Sequence, residues 1–171
     1  MRHTVIRGMV MRKKLTTCSP EEQRSRIMSS VKHQDTKIEV MLRKALWHEG
    51  IRYRKNFATL PGSPDIAITK YKIAIFCDGE FWHGKNWAEK RIKLKSNRDY
   101  WIPKIERNIQ RDNEIDRQLK CMGWTVIHFW GMEIEKDLGA CVDCVKDAIF
   151  QIRIDTYSNN DADDLPSESN E

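Results

Sequence analysis

Two short apolar runs, both rich in isoleucine, constrain the fold more than any other feature of this sequence. They occupy residues 65–68 and 72–77, and residues 69–71 join them. Runs of this composition with so short a connection predict two strands paired in a hairpin. A long helix from about Arg98 to Cys121 and a further strand from Trp124 to Trp130 follow them. We therefore predict an α/β fold of three αβα layers, in which helices cover both faces of a mixed sheet.

Capping sequences mark two helices before the hairpin. Ser19, followed by a proline and two glutamates, predicts the start of a helix that ends near Val31. Thr36 and Glu39 form a capping box ahead of a second helix, which we expect to stop at Gly50.

Three further segments have weaker patterns. Residues 51–57 are a candidate strand, and residues 139–154 predict a last helix. Residues 79–97 show no clear period and predict a long loop. Loops of that length in compact domains are often functional, so we expect candidate site residues in this one.

The charge is unevenly distributed along the chain. Lys and Arg number 30 against 25 Asp and Glu, and every basic residue precedes residue 154. We predict a flexible basic arm over residues 1–18, one domain over residues 19–154 and a disordered acidic tail over residues 155–171. A body this basic favours a polyanionic partner, because neutralised phosphates release counterions. A soluble surface rich in Lys and Arg is the alternative explanation.

Cysteine usage and hydropathy bear on the location of the protein. The five cysteines are scattered and odd in number, which does not indicate a disulfide framework. The sequence has no apolar run of about 18 residues, and its basic N-terminus lacks the apolar segment of a signal peptide. We therefore expect a cytoplasmic protein without a membrane partner.

Carboxylates lie at the ends of the two hairpin strands. Asp65 opens the first run, and Asp78 follows Cys77 at the end of the second. Mg²⁺ takes oxygen ligands from carboxylates and carbonyls, and phosphodiester hydrolysis commonly depends on such an ion. Acids that lie near a turn by chance would give the same pattern, so this signal is weak when taken alone.

The loop after the second strand combines an acid, two aromatic residues and a histidine between glycines. Phe81 and Trp82 are costly on a surface unless they meet an apolar partner, and stacked bases are such a partner. His83 titrates near neutral pH and is able to take a proton from an attacking water. The alternative is that the aromatic pair packs into the core and His83 bonds a backbone carbonyl.

Four blocks between Arg24 and Trp130 resemble the very short patch repair endonucleases over about two thirds of the chain. The blocks lie in the family's order and at compatible spacing. The matching residues are Arg24-Ser25-Arg26-Ile27-Met28-Ser29, Asp35-Thr36-Lys37, Glu39 and Leu42-Arg43-Lys44-Ala45-Leu46-Trp47; Leu60-Pro61-Gly62-Ser63-Pro64-Asp65-Ile66; Gly79 and Phe81-Trp82-His83; and Tyr100-Trp101, Lys104-Ile105, Asn108, Arg111-Asp112 and Gly123-Trp124.

The resemblance implies a restriction-endonuclease-like fold of the PD-(D/E)xK superfamily and a role for each matched position. Asp65 and the backbone carbonyl of Cys77 correspond to metal ligands. His83 corresponds to the base that activates water, and Glu39 to the acid that orients it. Three aromatic residues correspond to a wedge inserted into DNA beside the mismatched pair: Phe81, Trp82 and Trp101. For Glu39 a purely structural capping role is the alternative, and for Trp101 a place in the core.

The chain also departs from the family. Better-known members bind a structural zinc through a loop Cys, a following His- and Cys-rich stretch and a residue after the last strand. Here those positions hold Glu80, residues 84–87 and residues 131–132, none of which is Cys or His. We therefore expect no structural zinc, and we interpret Cys141 and Cys144 as half-buried helix residues. Asp78 replaces a family histidine, and we count it among the candidate catalytic residues because it offers one more oxygen ligand.

These observations predict a Mg²⁺-dependent endonuclease that nicks one strand of double-stranded DNA, at T:G mismatches by family analogy. A restriction or homing-type endonuclease of the same fold is the alternative enzyme, and a non-catalytic DNA-binding module is the alternative from another class. A cytosine DNA methyltransferase or mismatch-repair proteins are the partners that the resemblance implies.

Overall fold

The computed structural model describes Ser19 and residues 34–163 of the chain. The predicted arm over residues 1–18, the helix expected to end near Val31 and the last residues of the acidic tail lie outside the described residues. Among the described residues no helix has the length and apolar character that crossing a bilayer requires.

The described elements are five helices, four strands and one 3-10 turn. Their order is α1 (Lys37–His48), β1 (Arg54–Lys55), β2 (Ile66–Ile68), a 3-10 turn (Thr69–Tyr71), β3 (Ile73–Asp78), α2 (Trp87–Lys93), α3 (Arg98–Cys121), β4 (Thr125–Trp130), α4 (Gly131–Lys136) and α5 (Leu138–Asp163).

The four strands form one mixed sheet in the order β1-β2-β3-β4. β2 and β3 pair antiparallel as the predicted hairpin, with Ile66 opposite Ile75. β4 pairs parallel with β3, so that Asp78 lies opposite Trp130 where both strands end. A parallel pair needs a long crossover, and α3 supplies it. Residues that follow β3 and β4 therefore meet at one edge of the sheet.

The two faces of the sheet bury different side chains. Ile66, Ile68, Ile73 and Ile75 are fully buried against α1, α4 and α5, together with Leu42, Leu46, Ile134 and Val145. On the opposite face Ala67 and Ala74 pack against Leu119 of α3 and against Leu60. Each buried aliphatic side chain contributes about 1.5–3 kcal/mol to folding. Helices thus cover both faces, which confirms the predicted αβα layers.

Local signals placed most elements correctly, including α1. Thr36 caps this helix, and the capping box with Glu39 is formed in both directions. The candidate strand over residues 51–57 is shorter than predicted and comprises only Arg54–Lys55. Asn56 has a φ of 45°, which breaks the regular strand. The N–H groups of Asn56 and Phe57 nevertheless still donate to the carbonyl oxygens of residues 65 and 64.

One helix was not predicted, and another is longer than predicted. The predicted loop over residues 79–97 contains helix α2, and Trp87 and Arg91 of that helix both bond Glu106 of α3. A contact with another element stabilises this helix, which explains why the local pattern missed it. The last helix was expected to end near residue 154 but reaches Asp163, so the beginning of the acidic segment is helical. No Gly or Pro interrupts the chain between Gly139 and that end.

Candidate active site

Asp65 lies at the edge of the sheet where β3 ends. It precedes β2, and its Oδ2 atom accepts a hydrogen bond of 2.7 Å from the backbone N–H of Cys77 near the end of β3. The antiparallel hairpin brings these two residues together, because the start of one strand meets the end of the other. The predicted metal-binding pair therefore occupies one location in the fold.

The electrostatic surroundings of Asp65 fit a cation. Burial raises the pKa of its carboxyl group to about 6; the hydrogen bond from Cys77 opposes this rise, and the negative charges of Glu39 and Asp78 add to it. The charge of Arg43 offsets this effect only in part, and carboxylates that stay partly uncompensated are costly in a protein interior. A hard divalent ion held by the Asp65 carboxylate and the Cys77 carbonyl oxygen would offset that charge.

Glu39 is committed to its own helix start. Its carboxylate accepts hydrogen bonds from the Asp35 N–H at 2.9 Å and from Thr36 Oγ1 at 2.6 Å, and its side chain is buried. The buried guanidinium of Arg43 lies beside it, 3.9 Å from Oε2. Glu39 therefore contributes its charge to the surroundings of Asp65, and none of its hydrogen bonds described here reaches His83.

His83 pairs with an acid on helix α3. Its Nδ1 atom lies 2.8 Å from Oδ2 of Asp112 on α3 and 3.6 Å from Oδ1 of Asp78. The hydrogen bond with Asp112 raises the pKa of His83, burial opposes the rise, and the charge of Asp78 adds to it. Sequence reasoning placed Asp112 in a matched block but gave it no role. The pairing depends on how α3 packs across the sheet, which the sequence pattern does not show.

A second histidine, which sequence reasoning missed, extends this network. His128 of β4 contacts Asp78 through Nδ1 at 2.6 Å and Asp116 through Nε2 at 2.9 Å. Its ring stacks on Phe76, with the ring centroids 5.1 Å apart. Burial lowers the pKa of His128, but the hydrogen bonds of Asp78 and Asp116 outweigh it and raise the pKa to about 9. The carboxylate of Asp78 thus lies between two imidazoles.

A cavity of about 400 Å³ opens beside this network. Its lining combines acids, imidazoles and one guanidinium: Gly62, Ser63, Phe76, Asp78, His83, Arg111, Asp112, Ile115, Asp116 and His128. Such a wall is able to hold a proton at a defined atom and to release it, which is what general acid–base chemistry needs.

The aromatic residues of the loop form a cluster with those at the beginning of α3. Trp101 lies 5.3 Å from Phe81 and 5.5 Å from Trp82 between ring centroids, and Tyr100 extends the cluster at its edge. The ammonium group of Lys104 lies 5.5 Å from the rings of both tryptophans. The structure therefore brings the three predicted wedge residues together. Their insertion into DNA stays a prediction.

The sequence of this chain is similar to those of known nicking and mismatch endonucleases. Residues 16–89 match the family model described as DNA mismatch endonuclease Vsr. The type II nicking enzyme V.NmeDIP of Neisseria meningitidis serogroup C is 48% identical over 128 residues, which cover 75% of this chain and 86% of that protein. The type II nicking enzyme V.HpaIIP of Haemophilus parainfluenzae is 45% identical over 119 residues, 70% of this chain and 84% of that protein. The DNA mismatch endonuclease Vsr of Escherichia coli K12 is 34% identical over 108 residues, which cover 63% of this chain and 68% of that protein.

Proposed function

Because this chain belongs to the Vsr family of DNA mismatch endonucleases, it is a strand-nicking DNA endonuclease, and we propose that its substrate is duplex DNA with a T:G mismatch. One observation carries the proposal. On the loop after β3, Phe81 and Trp82 directly precede His83, and helix α3 supplies a partner to each group, Trp101 to the aromatic pair and Asp112 to the imidazole. A group that recognises disturbed stacking and a group that activates water thus lie on consecutive residues.

The metal that suits this site is Mg²⁺. The Asp65 carboxylate and the Cys77 carbonyl oxygen would hold it, and the negative charges around Asp65 favour a cation there. When bound, Mg²⁺ would hold the scissile phosphate and offset the charge that develops on it.

His83 is proposed as the general base. With Asp112 at Nδ1, the neutral imidazole keeps its proton on that atom and presents Nε2 as the acceptor for a proton from water. Asp112, rather than Glu39, is therefore assigned the orienting role. Asp78 supports the base from a longer distance, and His128 holds Asp78 in place.

The aromatic cluster is proposed to insert beside the mismatch. Unstacking a base step costs a few kcal/mol and costs least where pairing is already poor. An enzyme that opens the stack with Phe81, Trp82 and Trp101 therefore favours mismatched over matched duplex. Deamination of 5-methylcytosine produces T:G pairs, so a cytosine DNA methyltransferase is the proposed functional partner, with mismatch-repair proteins acting downstream.

Nicking of paired duplexes tests this function. Strand cleavage in Mg²⁺ is measured on two DNA duplexes that differ only in one T:G or T:A pair. We expect a nick in one strand near the T:G pair and at least tenfold slower cleavage of the T:A duplex. A factor of ten corresponds to about 1.4 kcal/mol, which is less than the few kcal/mol that unstacking a base step costs. Equal cleavage of both duplexes would replace mismatch recognition with cutting by sequence. Absence of cleavage in both would remove the catalytic assignment.

A further inference from the structure

The residues at the family's zinc positions do not fit a zinc ion. Glu80 replaces the loop Cys, and its carboxylate is already committed, because Oε1 accepts a hydrogen bond of 2.6 Å from the N–H of Met132. Gly84 offers no ligand, and a side chain there would be strained, since its φ is 70° and a Cβ atom would lie 2.5 Å from Ile109 Cδ1. Neither Gly131 nor Met132 provides a thiolate or an imidazole.

We propose that Glu80 and Lys85 form a clamp that does the work of the zinc by direct contacts with the beginning of α4. Glu80 binds the backbone of Met132, and Lys85 Nζ lies 2.9 Å from Oε1 of Glu133. Both contacts connect the loop to the same segment, which follows β4. The family resemblance implies a structural zinc at these same positions in the better-known members.

The second contact of the clamp is itself held in place. Glu133 accepts a hydrogen bond of 3.1 Å from the Trp130 N–H through its other oxygen, so the partner of Lys85 does not rotate freely. The Lys85 ammonium also lies 5.1 Å from the centre of the Trp130 ring. The side chain of Lys85 is 23% exposed and that of Glu133 is 48% exposed, so solvent screens this ion pair in part. Within the loop the Lys85 N–H bonds the Glu80 carbonyl at 3.0 Å.

The position of the clamp in the chain explains what it does. Residues 81–84 lie between its two anchors, and they include Phe81, Trp82 and His83. Fixing both ends of so short a segment limits the orientations open to the residues between them. Glu80 and Lys85 are thus positioning residues that hold the aromatic cluster and the base of the proposed nicking reaction, on which this inference rests.

Substitution of Glu80 separates the clamp from other roles. Glu80→Ala removes the acceptor, whereas Glu80→Gln keeps an oxygen that accepts the same N–H. Glu135→Ala is the matched control, because Glu135 is on α4 but pairs with Lys37 at 3.0 Å and does not contact the loop. Lys85→Met breaks the second contact while Glu80 stays intact, and it tests the clamp independently if Glu80→Ala folds poorly.

Two measurements report on the loop and on the reaction. Trypsin cleavage at Lys90 and Arg91 should become about tenfold faster in Glu80→Ala, as expected when a hydrogen bond to a charged group is lost. The single-turnover nicking rate should fall about tenfold while the DNA Kd changes less than threefold, because phosphate contacts persist. Glu80→Gln should stay within about threefold of wild type in both measurements, and Glu135→Ala should match wild type.

Chelation distinguishes the clamp from a metal. A strong zinc chelator should leave the trypsin resistance of the wild-type loop unchanged. Exposure of the loop by the chelator would overturn the proposal, as would a Glu80→Ala protein whose loop and nicking rate match those of Glu135→Ala. Proteolysis needs no DNA, so a wild type that fails to nick mismatched duplex would refute the proposed function while the loop assay still decides the clamp.

Discussion

The carboxylate of Asp112 lies 2.8 Å from Nδ1 of His83, although 29 positions separate the two residues in the chain. This pairing fixes which imidazole nitrogen faces the substrate side and raises the pKa of the base. It also resembles the carboxylate–imidazole pairs that orient general bases in unrelated hydrolases. The first prediction follows from it.

Asp112→Asn should slow nicking by about 100-fold or more, within the usual contribution of general base catalysis. The neutral form of His83 is the active one, so the rate should rise with pH through its pKa. Since the Asp112 hydrogen bond is the main cause that raises this pKa, its loss should move the rise to lower pH, although Asp78 and Arg111 continue to act on His83. Single-turnover pH–rate profiles measure both effects.

Glu114→Gln is the control for this experiment, because Glu114 is also on α3 but is bonded to Arg117 and Gln118 on the exposed side. Its profile should coincide with that of wild type. A profile of Asp112→Asn with an unchanged midpoint and rate would contradict the assignment of Asp112 as the residue that orients the base.

Asp65→Asn should abolish nicking in Mg²⁺ while DNA binding persists. The substitution removes the anionic ligand but keeps an oxygen for the Cys77 N–H, so the loss reflects the metal site rather than the fold. Binding is measured by fluorescence anisotropy and nicking on the T:G duplex. Cleavage by Asp65→Asn at the wild-type rate would contradict the metal assignment.

Asp65→Asn should also change the stability of the protein when no metal is bound. The pKa of Asp65 is raised to about 6, so ionisation of this group destabilises the folded protein increasingly between pH 3.8 and 6, and fully above that range. In chelator at pH 8 Asp65→Asn should therefore be more stable than wild type, by on the order of 2–3 kcal/mol. Denaturant unfolding at pH 8 and pH 4 measures the difference, which should be much smaller at the lower pH.

Trp82→Ala should reduce the preference for mismatched DNA. The substitution removes one stacking surface, worth about 1–3 kcal/mol. We expect slower nicking of the T:G duplex and a smaller effect on residual cutting of the T:A duplex. Trp47→Ala provides the comparison, because Trp47 is 52% exposed on α1 and stacks with Arg52 outside the cluster. Equal slowing of both duplexes by Trp82→Ala would rule out the wedge.

His128→Gln should flatten the dependence of stability on pH. The folded pKa of His128 is about 9, above the unfolded value of 6.5, so its contribution is complete below pH 6.5 and is lost as the pH rises through 9. The free energy of unfolding of wild type should fall over this window by on the order of 1–3 kcal/mol relative to His128→Gln. Urea titrations in chelator at pH 6 and pH 9.5 test this, and parallel pH dependences for the two proteins would refute it.

The sequence by itself determined the features that depend on neighbouring residues. The capping box of Thr36 and Glu39 spans three positions, and the hairpin that brings Asp65 to Cys77 follows from two apolar runs and a short turn. The layers of the fold followed from the same order of strands and helices. The grouping of Phe81, Trp82 and Trp101 was predictable as well, but only through the family resemblance.

Tertiary structure alone decided which polar side chains meet. His83 pairs with Asp112 across 29 positions of the chain, and His128 pairs with Asp78 across 50. The carboxylate of Glu80 accepts from the backbone N–H of Met132 across 52 positions. Hydrophobic periodicity tells which face of an element is buried but not which residue of another element lies opposite a given side chain. Those pairings arise when α3 packs across the sheet and β4 aligns in parallel with β3, because that packing sets the register of every residue at the edge where both strands end.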